Sequence, residues 1–239
     1  TTLFRSDRAY LVEVKAQLLY PELIASKGEQ LKIVYSPLHG SGGMLIKSIL
    51  QDTGFSSLFV VPEQKDPDPE FSTVSSPNPE DPSAFKIALS YAKDQKADIV
   101  MASDPDGDRL GLYVRGDDDY YHRFNGNQIG VLLLYYILSQ KKKKGILPSN
   151  SVVIKTVAST DLGDAVAEKL GVNNVNVLVG FKYIGEQIKD MEEKGWGTFQ
   201  FGFEESFGYL AGTHSRDKDA VVAAVLLAEA ALYYREEEK

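Results

Sequence analysis

Cysteine is absent from these 239 residues. That absence excludes a disulfide framework, a thiolate nucleophile and any zinc site built on sulfur. No apolar run is long enough to span a bilayer, and no secretory leader is recognisable. A cytoplasmic protein without a membrane partner is therefore the default expectation. Basic charge is also scarce: the net charge is −8, spread along the chain rather than blocked, which argues against nucleic acid as the main partner. The only basic cluster, residues 141–144, follows an apolar helical stretch and is expected to be a solvated helix end. None of the serines stands in a recognisable nucleophile elbow.

The length suits one large domain or two ordinary ones. The ends are unusual. The opening "TTLFRSDRAYLVEV" lacks Met and runs straight into a helical pattern, and "YYREEEK" follows an amphipathic helix directly. Such ends suit a piece of a longer chain.

Between them one unit occurs twice. After an opening helix over 5–26, "LKIVYSPLHGSGGMLIKSILQDTG" gives a strand (32–35), a Gly-rich turn, and a helix closed by Gly54. A second strand, "SLFVVPE", follows. "SVVIKTVASTDLGDAVAEKLGVNNVNVLVG" repeats that order, with strands at 152–155 and 175–179 around a helix ended by Gly171. Each copy then continues as helix, strand, acidic loop, strand. The first acidic loop spans 104–108 and the second 204–206. The expected fold class is α/β: two similar domains (1–118 and 119–239), each a mainly parallel mixed sheet with helices on both faces. The seam is "RGDDDYYHRF", after which a helix begins at Asn125 or Asn127. The first copy also carries "PEQKDPDPEFSTVSSPNPEDP", whose prolines rule out regular helix or central strand. Ligands of such sheets bind beyond the carboxyl ends of strands, where both acidic loops fall.

In "ASDPDGDRLG", Asp104, Asp106 and Asp108 alternate, with Arg109 directly behind. Two carboxylates about 4 Å apart repel by about 4 kcal/mol at an effective dielectric of about 20, and by about 1 kcal/mol in water. Either the side chains splay into solvent or a cation belongs among them. An EF-hand does not fit, because the twelfth position is Arg115 where a bidentate Glu is required. A Walker loop does not fit "SPLHGSGG", because no Gly-Lys-Ser/Thr follows. What remains is three hard oxygen ligands on a loop turned by Pro105 and Gly107, a set that magnesium accepts. Arg109 would then suit a phosphate beside the metal. An acidic surface turn is the competing reading.

Three further stretches flank the same strand ends. In "GFEESFGY", adjacent residues of an extended segment point to opposite sides. One of Glu204 and Glu205 is thus placed for a ligand's hydroxyls and the other for a neighbouring strand or water; a surface turn is the alternative. "THSRDKDAV" puts Arg216 and Lys218 before the final helix, either as an anion site or as ordinary flanking charge, with Asp217 or Asp219 as N-cap. "VGFKYIG" sets Gly180 and Lys182 just past a strand. His39 offers an acid–base group, although a lone loop histidine more often holds structure. Trp196, between two glycines, is expected to pack on the core.

Together these motifs resemble the phosphohexomutases, the phosphoglucomutases and phosphomannomutases. "SDPDGDRLG" is similar to that family's magnesium loop, "GFEESFGYL" to its sugar-binding loop, and "RDKDAV" follows at the usual interval. "SPLHGSGG", "SPNPE", "GNQIG" and "GFKYIG" resemble the branch acting on glucose or pentose phosphates. The resemblance implies the second and third of four domains around a cleft. It implies that Asp104, Asp106 and Asp108 hold magnesium and that Arg109 contacts the reacting phosphate. Glu204 and Ser206 would hold sugar hydroxyls, while Lys218, Arg216, Gly180 and Lys182 line the substrate site. The family's phosphoserine loop and its distal phosphate-binding loop have no counterpart in these residues. The expected protein is therefore the central part of a phosphosugar mutase, an isomerase working through phosphoserine and a bisphosphate. Its partners would be a phosphosugar and the flanking domains, and the isolated chain would be inactive. A self-contained sugar-phosphate or metal-binding module is the alternative. A magnesium-dependent phosphatase would need one of the three aspartates as nucleophile, and all three look committed to metal.

Overall fold

Parallel strands require crossovers of a dozen residues or more, and each amphipathic stretch after a strand supplies one. The computed structural model describes residues 4–237. It opens with α1 (Arg5–Lys15) and α2 (Pro21–Lys27). From β1 (Ile33–Ser36) the chain crosses through α3 (Gly43–Thr53) to β2 (Leu58–Val60). The proline-rich segment and α4 (Lys86–Gln95) then lead to β3 (Ile99–Ser103). β4 (Leu110–Arg115) turns back antiparallel and β5 (Tyr121–Phe124) pairs with it, giving the order β2-β1-β3-β4-β5.

The second unit begins with α5 (Gly126–Lys143), N-capped by Asn125 in a capping box with Gln128. Next come β6 (Ser151–Thr156), α6 (Leu162–Leu170), β7 (Asn173–Val177) and α7 (Phe181–Lys194). β8 (Thr198–Glu204), β9 (Gly208–Ala211) and α8 (Ala220–Glu237) complete it. Its order, β7-β6-β8-β9, repeats β2-β1-β3-β4, with the same two parallel pairs and one antiparallel pair. The duplication read from the sequence is therefore real in three dimensions. β5 extends the first sheet past the division expected at 118/119, because among the described strands it bonds only to β4. Among the described residues, no helix is long and apolar enough to cross a membrane.

Helices cover both faces of each sheet. An outer core under α4 includes Val34, Phe85, Ala88 and Val100, and another under α7 includes Ile154, Ile184 and Ile188. Between the sheets lies one shared core, to which Ile99 and Leu112 of the first unit and Phe201 and Tyr209 of the second both belong. α8 fills its centre. The sequence reading made this helix amphipathic, yet residues 220–230 are buried on every side, as expected of a helix enclosed by protein.

Three other expectations change. The opening helix over 5–26 breaks into two, because the amides of Leu19 and Tyr20 leave the helical ladder for the carboxylate of Glu229 in α8, at 2.6–3.1 Å. Pro21 then starts α2, where its missing N–H costs nothing. The four lysines at the end of α5 are not merely solvated. Lys141 donates to Gln200 at 2.8 Å, Lys142 to the Leu170 carbonyl at 2.9 Å and Lys143 to the Tyr233 hydroxyl at 2.8 Å. Lys144 reaches the Leu19 carbonyl and lies 4.1 Å from the centre of the Tyr20 ring. Trp196 stands partly exposed and donates to Asp190 at 2.9 Å instead of joining the core.

Glu229 is thus a buried joint between the α1–α2 corner and the central helix. Glu229→Leu strands two buried amides and should lower unfolding stability by about 2–4 kcal/mol in urea titration. Glu229→Gln keeps an acceptor oxygen and should cost less than half as much. Equal losses in the two variants would contradict the capping role.

Candidate functional site

The acidic loop joins β3 to β4, whose last paired residues are Ser103 and Leu110. Six residues must reverse the chain, and Pro105 with Gly107 (φ +75°) turns it inward. One carboxylate oxygen from each of Asp104, Asp106 and Asp108 consequently lies within 4.8 Å of the other two. The backbone holds them there. Asp104 Oδ1 accepts the amides of Asp108 (3.0 Å) and Arg109 (2.9 Å), and the Pro105 carbonyl accepts the Ser41 amide at 2.8 Å. The "SPLHGSGG" turn is therefore the brace under the acidic loop.

Partners from the second unit close over it. The Leu110 amide donates to the Phe207 carbonyl (3.1 Å), Arg109 and Gly208 form an isolated antiparallel bridge, and the Ala220 amide donates to the Gly107 carbonyl (3.2 Å). The stem of Lys218 crosses Gly208 so closely that a Cβ there would sit 2.4 Å from Lys218 Cδ. Its ammonium reaches Asp108 Oδ2. Arg109 pairs with Glu80 at 2.7 Å and stands 3.7 Å from Asp104 and 3.9 Å from Asp108.

Burial pushes the Asp104 carboxyl up to about 7; the amide of Arg109 pulls it back, and Asp108 and Asp106 push it further up. Glu204, buried beside Ser206, is raised by burial against the pull of the Ser206 hydroxyl and of Lys218. Burial draws Lys218 down, but its hydrogen bond to Asp108 and the charge of that carboxylate outweigh burial and leave it raised. Among the described residues, Asp108 Oδ1 is buried with no hydrogen-bond partner. Three converged carboxylates, one holding its proton near neutrality and one with an unsatisfied buried oxygen, fit a hard divalent cation.

The two glutamates of the second loop part as alternation requires. Glu204 Oε1 accepts from Ser206 Oγ at 3.1 Å on the side of Lys218, whereas Glu205 Oε2 accepts from Thr156 Oγ1 at 2.8 Å and Ser159 Oγ at 3.3 Å. Asp104, Asp106, Asp108, Arg109, Glu204, Ser206 and Lys218 thus meet at the carboxyl ends of β3 and β8. Gly180, Lys182 and Arg216 are not in that cluster. Lys182 and Arg216 line a neighbouring hollow of about 540 Å³ against α7. There Arg216 is held by Glu192 and by the Thr213 carbonyl at 2.8 Å. Gly180 occupies the N-cap of α7. The segment 213–219 separates the two regions, and its Asp219 caps α8 through the amides of Val221 (2.8 Å) and Val222 (3.2 Å).

Residues 8–117 match the phosphoglucomutase/phosphomannomutase alpha/beta/alpha domain II, and residues 125–238 match domain III of the same family. The chain belongs to the phosphoglucomutase/phosphomannomutase family. It is 39% identical over 197 residues to a phosphoglucomutase of Staphylococcus haemolyticus, covering 82% of this chain and 35% of that protein. It is 37% identical over 230 residues to human glucose 1,6-bisphosphate synthase, covering 95% of this chain and 36% of that one. The crystal structure of a putative phosphomannomutase from Thermus thermophilus superimposes with a TM-score of 0.76 at 26% identity, over 96% of this chain and 47% of that one. The chain spans about a third of the length of these curated relatives and corresponds to the family's two central domains.

One residue of the site was not visible as such in the sequence. Glu80, in the "SPNPE" stretch, is the main partner of Arg109, and its carbonyl accepts from Arg123. Only the motif itself pointed there, since a pairing across 29 residues has no local signal. His39 is structural: its ring nitrogens meet the Asp66 carbonyl (3.1 Å) and Thr73 Oγ1 (2.8 Å) inside the proline-rich segment.

Asp104 makes a pH prediction. A carboxyl raised in the folded chain favours the fold while protonated. Its contribution is complete below the unfolded value of about 4 and is lost as pH rises through about 7. In magnesium-free buffer the melting temperature should therefore fall from pH 5 to pH 8 (~3 pH units) more steeply in the parent chain than in Asp104→Asn. Calorimetry that gives parallel slopes would remove Asp104 from the balance.

Proposed function

We propose that this chain forms the central part of a phosphosugar mutase cleft, supplying the metal loop and the sugar-binding loop. The observation that carries this reading is the meeting of three aspartates, Arg109, Lys218 and the Glu204–Ser206 turn at neighbouring strand ends of two duplicated units. Asp104, Asp106 and Asp108 would hold magnesium, which when bound supplies charge stabilisation to a phosphoryl group in transfer. Arg109 offers its guanidinium to the phosphate in bidentate fashion. Lys218 adds a second positive charge and lowers the cost of bringing a phosphate toward the carboxylates. Glu204 accepts from sugar hydroxyls and is kept in place by Ser206. Gly180, Lys182 and Arg216 form an outer contact, reached by the more distant part of the ligand.

No phosphorylatable serine loop stands among these residues, so the phosphoryl group would come from another domain of a longer protein. The names of the relatives, a phosphoglucomutase and a glucose 1,6-bisphosphate synthase, favour a glucose phosphate over a pentose phosphate. The same missing donor loop also supports a second reading, a module that binds a sugar phosphate without turning it over.

Magnesium should raise the melting temperature of the chain by roughly 5 °C at saturation. The gain should be larger at pH 8 than at pH 6 (about one unit either side of the Asp104 value), because no proton then has to leave. Asp106→Ala should abolish it; an unchanged metal response in that variant would take the loop out of the site. Glucose 1-phosphate with magnesium and a bisphosphate activator should give little or no turnover with the chain alone. Robust turnover would overturn the partial-cleft reading. Micromolar calorimetric binding without turnover would favour the module.

A further inference from the structure

Arg109 stands among three carboxylates at unequal distances. Its Nη1 donates to Glu80 Oε1 at 2.7 Å, while its Nε lies 3.7 Å from Asp104 Oδ2 and 3.9 Å from Asp108 Oδ1, both beyond hydrogen-bond length. Those two oxygens are the ones the acidic loop itself leaves over. The amides of Asp108 and Arg109 fall on Asp104 Oδ1, not on Oδ2. Lys218 meets Asp108 on Oδ2, and Asp108 Oδ1 is the buried atom without a partner among the described residues. The guanidinium therefore stops short of the oxygens best placed for a metal.

Coulomb attraction alone would close that gap, since a cation and a carboxylate attract more strongly the nearer they come. The backbone of Arg109 is fixed by its bridge to Gly208 and its amide bond to Asp104, so side-chain torsions decide where the guanidinium rests. Glu80 supplies the opposing pull, and from a firm base. Its amide donates to Asn78 Oδ1 at 2.9 Å, and the Asp81 amide donates to the Asn78 carbonyl at 2.9 Å. Its carbonyl accepts from Arg123, which stands 5.7 Å from the centre of the Phe207 ring. Pro79 packs so closely on Gly111 that a Cβ there would sit 3.0 Å from the Cβ of the proline. None of these contacts uses the Glu80 carboxylate. The side chains of Arg109 and Glu80 are 33% and 39% exposed, so the pair adds little to stability; its effect is on where the guanidinium points.

We infer that Glu80 is a positioning residue that holds Arg109 off Asp104 Oδ2 and Asp108 Oδ1, keeping both oxygens open to a divalent cation. With Nη1 on Glu80, Nε and Nη2 remain as the fork for a phosphate. Without Glu80, the ion-pair partners left to the guanidinium are both in the acidic loop, and Arg109 competes with the metal for them. The inference rests on the metal-loop reading of Asp104, Asp106 and Asp108. It adds the residue that keeps the arginine of that loop and its cation apart.

The test is a double-mutant cycle read by calorimetric titration with magnesium alone. Glu80→Ala should weaken magnesium binding about fivefold, the range for coupled neighbours. Glu80→Gln keeps an oxygen for Nη1 and should stay within about twofold of the parent chain. In an Arg109→Gln background, Glu80→Ala should change nothing, because no guanidinium is left to collapse onto the loop. Simple loss of a negative charge predicts otherwise: equal weakening in Glu80→Ala and Glu80→Gln, and the same loss in the Arg109→Gln background. That pattern overturns the inference. A second readout needs no metal. The Arg109 Nε–Hε signal in nitrogen–proton correlation spectra should shift in Glu80→Ala and be retained in Glu80→Gln; a signal unmoved in Glu80→Ala also overturns it. Magnesium that fails to bind the parent chain sinks the metal reading and this inference together. Binding that is lost in Asp106→Ala but unaltered in Glu80→Ala sinks this inference alone.

Discussion

Two backbone hydrogen bonds, from the Leu110 amide to the Phe207 carbonyl and from the Ala220 amide to the Gly107 carbonyl, lock the first acidic loop against the second unit. Neither unit alone could shape the candidate site. With the bonds in place, Lys218 from the start of the central helix is brought onto Asp108, and Glu204 and Ser206 stand beside Arg109. The carboxylates can then converge because cations and amides surround them. Burial in the closed loop, with a smaller push from Asp108 and Asp106, moves the Asp104 carboxyl up to about 7.

The central helix makes this arrangement rigid. α8 is enclosed by both sheets, so the segment 213–219 that precedes it is anchored at its end by a buried element. Asp219 ties the anchor down a second time: it caps α8 and accepts from Tyr10 of the first unit and from His214. The same helix carries Glu229, whose carboxylate sets the corner between α1 and α2. One element thereby positions the site loop and fastens the opening helices, which is the reason the two units act as one scaffold.

Much of this was legible in the chain itself. Strand, helix and loop order, the duplication, and the irregular proline-rich segment follow from local periodicity and turn chemistry, which also narrow the two caps to Asn125 or Asn127 and to Asp217 or Asp219. The different fates of Glu204 and Glu205 follow from strand alternation alone. Errors clustered where tertiary partners overrule local preference. The opening helix is interrupted by a carboxylate some two hundred residues away. The lysine run is drawn onto four separate partners, and the central helix is buried on the side expected to meet solvent.

The alternation of three aspartates around Pro105 and Gly107 was determined by the sequence, because a short hairpin loop with those residues has few ways to turn. So was the choice of which strand ends carry acidic loops. Only the folded structure decided that the two loops face each other, that Lys218 and Glu80 complete the charge balance, and that Gly180, Lys182 and Arg216 stand apart. Those outcomes depend on contacts between segments distant in sequence, which local propensity does not encode and only the packing of two sheets around one buried helix brings together.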